Sequence, residues 1–422
     1  MSEVKNIYTE PSRSIPDGWV ETTLGEICNP KGGKRLPKGM TLVNYKTNHP
    51  YIRITDFNGN QINKNQLQYV TDDIFKHISR YIVNENDVVI TIVGTVGLVA
   101  QIDRELDKAS LTENCTKLVD LKNVDHSYLY YFLISKNGQD EIVKNTVGAV
   151  QKKLPIYGVQ NINITLPTIP EQKSIADILI AFDNKIELLQ AQNKTLEETA
   201  QTIFAEWFGK YQIEDELPDG WRVGKLGDLV IKISKGTTPT KNDLIGLRGE
   251  VPFLKVKDIS NDGLILKNNL ELIPKIIHEN QLKRSILETD DVLFSIAGTI
   301  GRIAIVDLEM NNSNCNQALA FIRLKDKHSF LEYIHLWLKS KETQDVIISN
   351  IVQGVQANVS LTVLSNLLLL IPSLESINNW CNLIKPIYQK YQTNTKQIQT
   401  LTKTRDELLP RLMSGEVRVS EL

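Results

Sequence analysis

The chain has 422 residues, 41% hydrophobic and 23% charged, with 48 lysines and arginines against 50 aspartates and glutamates. That length predicts two or three domains, each able to bury its own core, and a formal net charge of −2 is not the basic balance of a lone nucleic-acid-binding domain. The longest apolar run, residues 367–371, is strand-sized, and residues 1–11 are polar without a signal-peptide core, so no membrane span is expected and the cytoplasm is the expected compartment.

In chain order, the first expected element is a globular α/β segment over residues 12–168. It contains β-rich runs at 87–92 and 96–102, a glycine-bounded turn Gly94-Thr95-Val96-Gly97 between them, and a helical stretch over 128–144. A second globular segment, 214–372, repeats this plan. Ile15-Pro16-Asp17-Gly18-Trp19 returns as Leu217-Pro218-Asp219-Gly220-Trp221, and Leu24-Gly25-Glu26-Ile27 as Leu226-Gly227-Asp228-Leu229. Lys31-Gly32-Gly33 aligns with Lys235-Gly236-Thr237, and Pro50-Tyr51-Ile52-Arg53 with Pro252-Phe253-Leu254-Lys255. The strand 291–296, the turn Gly298-Thr299-Ile300-Gly301 and a helical stretch over 330–350 follow in register. One unit has been duplicated, with an offset of about 200 residues and no shorter period. Two similar modules suit a target with two similar, non-identical halves.

Each globular segment is followed by a helix. From Glu171 to Gly209 there is no proline and no internal glycine, and Ile175, Leu179, Phe182, Ile186, Leu189, Asn193, Leu196, Ala200, Ile203 and Trp207 recur at alternating steps of four and three. That is a coiled-coil seam, on a helix about 58 Å long. The stretch 374–413 carries Ile377, Trp380, Ile384, Ile387, Tyr391, Asn394, Ile398, Leu401, Arg405, Leu408 and Leu412 at the same steps, with an end expected near Leu409-Pro410 and Gly415 beyond. One asparagine interrupts each seam, Asn193 and Asn394, a residue type that fixes register at a cost in stability. The first helix holds seven acids against three bases, the second three against six, so the two favour each other over self-pairing. An antiparallel pair over 169–213 and 373–416, with an internal pseudo-twofold relating the modules, is the expected architecture; Pro386 should kink the second helix or mark a frayed start.

Cys28, Cys115, Cys315 and Cys381 form no CxxC pair and have no histidine at ligand spacing; Cys115 and Cys315 sit near corresponding places in the repeats. They read as small buried residues in preference to zinc ligands or a disulfide.

Two α/β (α+β) modules alternating with two long helices resemble the specificity subunit of type I restriction–modification systems. The resemblance is carried by Leu166-Pro167 with Pro170-Glu171-Gln172 and Ile175, by Ile203-Phe204-Ala205-Glu206-Trp207-Phe208, and by Leu408-Leu409-Pro410-Arg411-Leu412-Met413-Ser414-Gly415-Glu416-Val417. It departs at the second helix start, where Leu374-Glu375-Ser376 stands against Pro170-Glu171-Gln172. The resemblance implies a non-catalytic chain whose globular domains each read half of a bipartite asymmetric site in double-stranded DNA. The helices would set the spacer and dock two modification subunits, with restriction subunits joining them. It implies no cofactor in this chain; S-adenosylmethionine, ATP and Mg would belong to the partners.

Candidate DNA contacts follow from residue type and place. Lys31, Lys34 and Arg35 form a basic, glycine-containing turn echoed by Lys235, Thr237, Thr238 and Lys241, suited to gripping phosphates. Arg53 and Thr55, on an expected strand, match Lys255 and Lys257, and changes at matched positions would change base preference. Lys152 and Lys153 follow Gly148, as Gln356 and Asn358 follow Gly354, while Arg302 matches Leu98. Each alone reads equally well as a solvated surface group; as a set they outline a candidate interface. Asp56 and Asp258 read as turn anchors.

Enzyme readings find little to stand on. There is no Pro-Pro pair for the flipped-base motif of an adenine methyltransferase, and no Walker A lysine loop. A DNA-free structural adaptor remains open, as does the specificity subunit of a related fused methyltransferase–nuclease. The adaptor is distinguished by whether basic residues of corresponding loops converge on one face of each module.

Overall fold

The computed structural model describes residues 15–350 and 358–419. Two compact units divide the chain, Met1–Glu187 with Gln399–Leu422, and Leu188–Ile398. In the first unit the chain runs β1 (Val20–Thr23), α1 (Leu24–Ile27), β2 (Asn29–Gly32), β3 (Pro50–Ile52), β4 (Phe57–Asn58), β5 (Gln61–Ile62) and β6 (Gln68–Tyr69). There follow α2 (Asp72–Ile78), β7 (Val88–Thr91), β8 (Val99–Gln101), β9 (Ser110–Leu111), β10 (Cys115–Val119), α3 (His126–Ile134), α4 (Lys136–Lys144), α5 (Ile156–Gln160) and β11 (Asn163–Leu166), before the long α6 (Ile169–Phe208).

The main sheet of this unit has the order β2-β10-β7-β8, all neighbours antiparallel. Its β7 is buried on both faces, which is why it reads as an unbroken apolar run and not an alternating one. Val88 and Ile90 pack with Leu118, Leu129 and Leu133 on one side, while Val89 packs with Ile52, Leu111 and Cys115 on the other. A second sheet, β6-β3-β9, supplies that other side and contains the parallel pair β3–β9. The module closes on itself where β1 pairs with β11, from Val20↔Leu166 to Thr23↔Asn163.

The second unit repeats the order. It has β12 (Arg222–Lys225), β13 (Val230–Lys235), β14 (Val251–Leu254), β15 (Glu271–Ile273), α7 (Lys275–Glu279), β16 (Val292–Ser295), β17 (Ile303–Ile305), β18 (Asn314–Cys315) and β19 (Leu319–Leu324). Next come α8 (Lys327–Lys339), α9 (Lys341–Ser349), α10 (Leu361–Asn366), β20 (Leu368–Ile371) and the long α11 (Leu374–Met413). The sheets are β13-β19-β16-β17, β15-β14-β18 with β14–β18 parallel, and β12-β20.

Each expected single helical stretch is two helices. The breaks fall at matched serines: Ser135 Oγ accepts from the Gly138 amide and Ser340 Oγ from the Thr343 amide, both at 3.3 Å, so each serine starts a new helix where the previous one stops. The cysteines also need correcting. Strand register matches Ser110 to Asn314 and Thr91 to Ser295, which places Leu319, not Cys315, opposite Cys115 in the plan. All four cysteines are buried free thiols, and burial pushes Cys28 and Cys115 up to about 12.

The long helices pair antiparallel within each unit. In the second, Asn193 Nδ2 donates to Thr395 Oγ1 at 3.2 Å, and further along α6 the Phe204 ring lies 6.1 Å from that of Trp380, earlier on α11. In the first, Asp183 meets Arg405 at 2.6 Å, and Ile175 shares a core with Leu412. The expected seam is the buried face. Pro386 does not end α11 or fray its start; Ile377, Trp380, Cys381 and Ile384 of that start are among the most deeply buried residues of the second unit. Their packing offsets the hydrogen bond a proline removes. The helix also passes through Pro410 to Met413 and stops where Gly415 takes φ +69, with the Val417 amide bonded to the Arg411 carbonyl at 3.2 Å.

Both helix starts follow from local chemistry. Gln172 is fully buried; its Oε1 accepts from the Asp125 amide at 2.8 Å and its Nε2 donates to the Pro167 carbonyl at 2.9 Å. In α11 the Ser373 hydroxyl caps instead, accepting from the Ser376 amide at 3.2 Å. The amides of Gln172 and Ile377 bond to the carbonyls of Thr168 and Ser373, each at 2.9 Å, so Pro170 matches Glu375 and the sequence alignment at this point was one residue out.

Candidate nucleic-acid interface

In both units one surface gathers around the connection from the short parallel strand to the central strand: Thr112-Glu113-Asn114 in the first, Asn316-Gln317-Ala318 in the second. The same backbone hydrogen bonds hold each. The Thr112 amide bonds to Ile52 O at 3.1 Å and the Asn316 amide to Leu254 O at 3.0 Å; the amides of Ile92 and Ile296 bond to Asn114 O and Ala318 O, both at 2.8 Å. The Cys115 and Leu319 amides bond back to Thr112 O and Asn316 O, both at 3.2 Å. Gly33 and Gly236 come next, their amides on Cys115 O at 3.1 Å and Leu319 O at 3.2 Å.

Those glycines correct the sequence alignment. Gly33, not Gly32, matches Gly236, because a Cβ on either would overlap backbone carbonyl oxygens: those of Leu111 and Thr112 against Gly33, and those of Cys315 and Asn316 against Gly236. Strand pairing agrees, since Gly32 faces Thr116 where Lys235 faces the matching Ala320. Lys31 therefore matches Ser234, Lys34 matches Thr237, and Arg35 matches Thr238. The close approach excludes any side chain and fixes the path of the loop that follows.

Around this frame the structure places most of the sequence candidates. Lys34 and Arg35 are exposed on the β2–β3 loop, with Arg35 Nε donating to Glu113 Oε1 at 2.6 Å and the Lys34 ammonium 5.7 Å from the Tyr81 ring centre. Lys31 is drawn to Asp120 at 3.1 Å. Lys153 bridges to Val93 beside the Gly94–Gly97 turn, and Asn358 bridges to Ala297 in the same way, so these two are matched; Lys152 is exposed alongside. Gln356 lies outside the described residues. Lys235 is exposed at the end of β13, and Thr237, Thr238 and Lys241 are exposed on the loop that follows, where Thr238 Oγ1 donates to Gln317 Oε1.

Arg53 and Lys255 are not in strands. Strands β3 and β14 end one residue earlier, because Asp56 Oδ2 and Asp258 Oδ2 accept the amides of Arg53 and Lys255 at 2.8 Å and close a single 3-10 turn. The aspartates are turn anchors, as their sequence suggests. The side chain of Arg53 is spent on Asp56 at 2.6 Å and on Gln68, and that of Lys255 on Glu271. Thr55 and Lys257 remain exposed on these turns. Arg302 turns inward, its Nη1 donating to Val256 O at 3.2 Å and Ile259 O at 2.6 Å, which makes it a brace for the turn bearing Lys257.

Asn193 and Asn394 face opposite helices in one layer. Asn394 Nδ2 donates to Gln192 Oε1 at 3.3 Å. Among the described residues no group of three or more His, Cys, Asp or Glu could hold a metal ion, and no helix is long and apolar enough to cross a membrane.

The sequence model described as the type I restriction modification DNA specificity domain matches residues 16–198 and again 218–403. The chain belongs to that family. It is a type I specificity subunit with a duplicated recognition domain, and catalysis lies in partner subunits. The MjaIX specificity subunit of Methanocaldococcus jannaschii is 25% identical over 370 residues, 84% of this chain and 82% of its own. The EcoBI specificity subunit of Escherichia coli is 22% identical, over 96% of this chain and 86% of its own. The type I S subunit structure from M. genitalium is similar in fold, with a TM-score of 0.57 at 18% identity, covering 96% of this chain and 98% of that one.

Around the same frame in this specificity subunit the structure also places residues that are not among the sequence candidates: Lys38, Tyr45 and Lys46, all exposed on the β2–β3 loop, and Glu113 and Gln317. The loop spans residues 33–49, longer than most connections, and that length was the available signal. Nothing local marks Glu113 or Gln317, whose hydrogen bonds to Arg35 and Thr238 form only in the fold.

Proposed function

We propose that each recognition module, 12–168 and 214–372, reads one half of a bipartite, asymmetric site in double-stranded DNA. The helical regions 169–213 and 373–416 set the spacer and dock two modification subunits, which restriction subunits join. The observation that carries this reading is a frame repeated hydrogen bond for hydrogen bond with different side chains set on it. Arg35 gives way to Thr238, Thr55 to Lys257, and Lys153 to Asn358. A shared backbone with exchanged donors and acceptors suits two modules that read different base edges in the same way. The exposed lysines of the loop 33–49 supply phosphate contacts beside them.

Co-expression with the partner modification subunit, followed by single-molecule mapping of methylated adenine, tests this. The expected result is one bipartite asymmetric motif. Replacing Lys34 or Lys38 with alanine should weaken binding evenly across sequences and reduce the slope of log K on log salt by about one each. An assembled complex that neither methylates nor binds DNA would return the chain to the adaptor reading.

A further inference from the structure

We propose that residues 113 and 317, with their loop partners Arg35 and Thr238, are the base-reading pairs of the two modules: Arg35–Glu113 reads a G·C pair and Thr238–Gln317 an A·T pair. This rests on the DNA-reading function proposed above and names residues and base identity within it.

The first argument is position. Residues 113 and 317 sit at the middle of a connection held at both ends in each module, between the carbonyl of Ile52 or Leu254 on one side and the amide of Ile92 or Ile296 on the other. Base discrimination needs such a fixed backbone, because a misplaced donor reads nothing. The partners at 35 and 238 are fixed too, two residues past glycines that admit no Cβ.

The second argument is what has been exchanged. Buried members of the frame stay apolar across the repeats: Ile52 and Leu254, Ile92 and Ile296, Leu154 and Val359. At 35/238 and 113/317 the charge is lost, yet the hydrogen bond between loop and connection is kept. A pair that served only to tie the loop down would not need the change.

The third argument separates bases from phosphates. A phosphate grip wants an unaccompanied cation, and Glu113 beside Arg35 would repel a phosphate. Burial would raise the Glu113 carboxyl, but its bonds to Arg35 and to its own amide hold it below the usual range, so it stays an acceptor. Glu113 Oε2 also takes the Thr112 hydroxyl at 3.2 Å. Arg35 spends only Nε on Glu113, leaving its Nη groups for acceptors. Together they offer the donors that match guanine O6 and N7 and the acceptor that matches cytosine N4. Gln317 offers an amide donor and acceptor side by side, the pattern that matches adenine N7 and N6.

The test exchanges the pairs in the whole chain with its partner subunits. Arg35→Thr with Glu113→Gln should convert one G·C position of one half-site to A·T, with a roughly ten- to hundredfold change of preference there, and leave the other half-site and the spacer unchanged. Thr238→Arg with Gln317→Glu should do the reverse in the other half-site. An unchanged methylation motif overturns the proposal, as does an equal loss of affinity for all sequences. If a variant complex assembles but methylates nothing, selection from a randomised duplex pool decides: preference retained at that base pair overturns the proposal, and preference lost at that pair alone supports it. Absence of any bipartite motif with the unaltered chain would instead strike the DNA-reading function itself.

Discussion

Arg323 holds both carboxylate oxygens of Asp291, Nε to Oδ1 at 2.8 Å and Nη2 to Oδ2 at 2.7 Å, with the aspartate almost wholly buried. The matching acid of the first repeat, Asp87, is served by Lys117, whose ammonium lies 3.7 Å away. Lys117 matches Phe321, two residues before Arg323 on the same face of the strand, and Val119 matches Arg323. The duplication has kept the acid and moved the cation along by one pleat. The acid is kept because it closes a turn: Asp87 and Asp291 each accept an amide three residues back, from Asn84 and Glu288, at 2.8 Å.

A buried carboxylate stripped of its cation is costly. Replacing Arg323 with alanine should destabilise the second unit by about 3 kcal/mol, whereas Val119→Ala, at the matched site, should cost about 1 kcal/mol. Urea denaturation of both variants checks this; equal small losses would show that Asp291 finds another partner.

Gly33 and Gly32 stand side by side but differ in what a methyl group would meet. Gly33→Ala should cost more than about 2 kcal/mol, since the backbone carbonyls of Leu111 and Thr112 cannot yield. At Gly32 a Cβ meets nothing within 4 Å among the described residues, and alanine there should shift stability by less than about 0.5 kcal/mol. Denaturation midpoints of the two variants would separate them, and the reverse order would refute the corrected alignment.

Asn193 Oδ1 and Asn394 Oδ1 are buried without a hydrogen-bond partner among the described residues. Replacing both asparagines with leucine should therefore raise stability by about 1–2 kcal/mol, while removing the polar layer that selects one register. A lowered denaturation midpoint would mean that the bonds to Thr395 and Gln192 outweigh the unsatisfied oxygens.

His335 should make the second unit sensitive to acid. Burial, and then the nearby Lys339, push its imidazole from 6.5 down to about 3, and its Nδ1 bonds to the Tyr388 hydroxyl at 2.5 Å. The unfolded chain takes up this proton at higher pH than the folded one, so stability falls as pH drops from about 6.5 towards 3, by about 1 kcal/mol per pH unit. Glu332, on the same helix, has its carboxyl raised by burial and works in the opposite sense as pH rises above its unfolded value. The comparison of His335→Gln with the parent isolates the histidine: the variant should lose less stability between pH 6.5 and 4.5. Parallel curves would contradict the assignment.

Much of the fold was legible because it rests on periodicity. The 3.5-residue seam marked α6 and α11 almost to their ends, and the apolar runs marked β7 and β16, since burial on one helical stripe or on both faces of a strand leaves a pattern in the chain itself. Register was less legible. The matches at Gly33 and Pro170 were each displaced by one residue, because a bulge in β13 and short loop differences shift the count without changing composition, while Cys115 and Cys315 share a residue type without sharing a position.

The sequence by itself determined the duplication, the pairing of unlike-charged helices and the family, since each follows from residue order and type along one chain. Only the tertiary structure decided which polar groups are available to DNA. Arg53, Lys255 and Arg302 are cations in any sequence reading, but folding supplies Asp56, Glu271 and the carbonyls of Val256 and Ile259 to occupy them. Glu113 and Gln317 gain meaning from partners 78 and 79 residues away. A hydrogen bond is a relation between groups brought together by the backbone, and a list of residue types contains only one side of it.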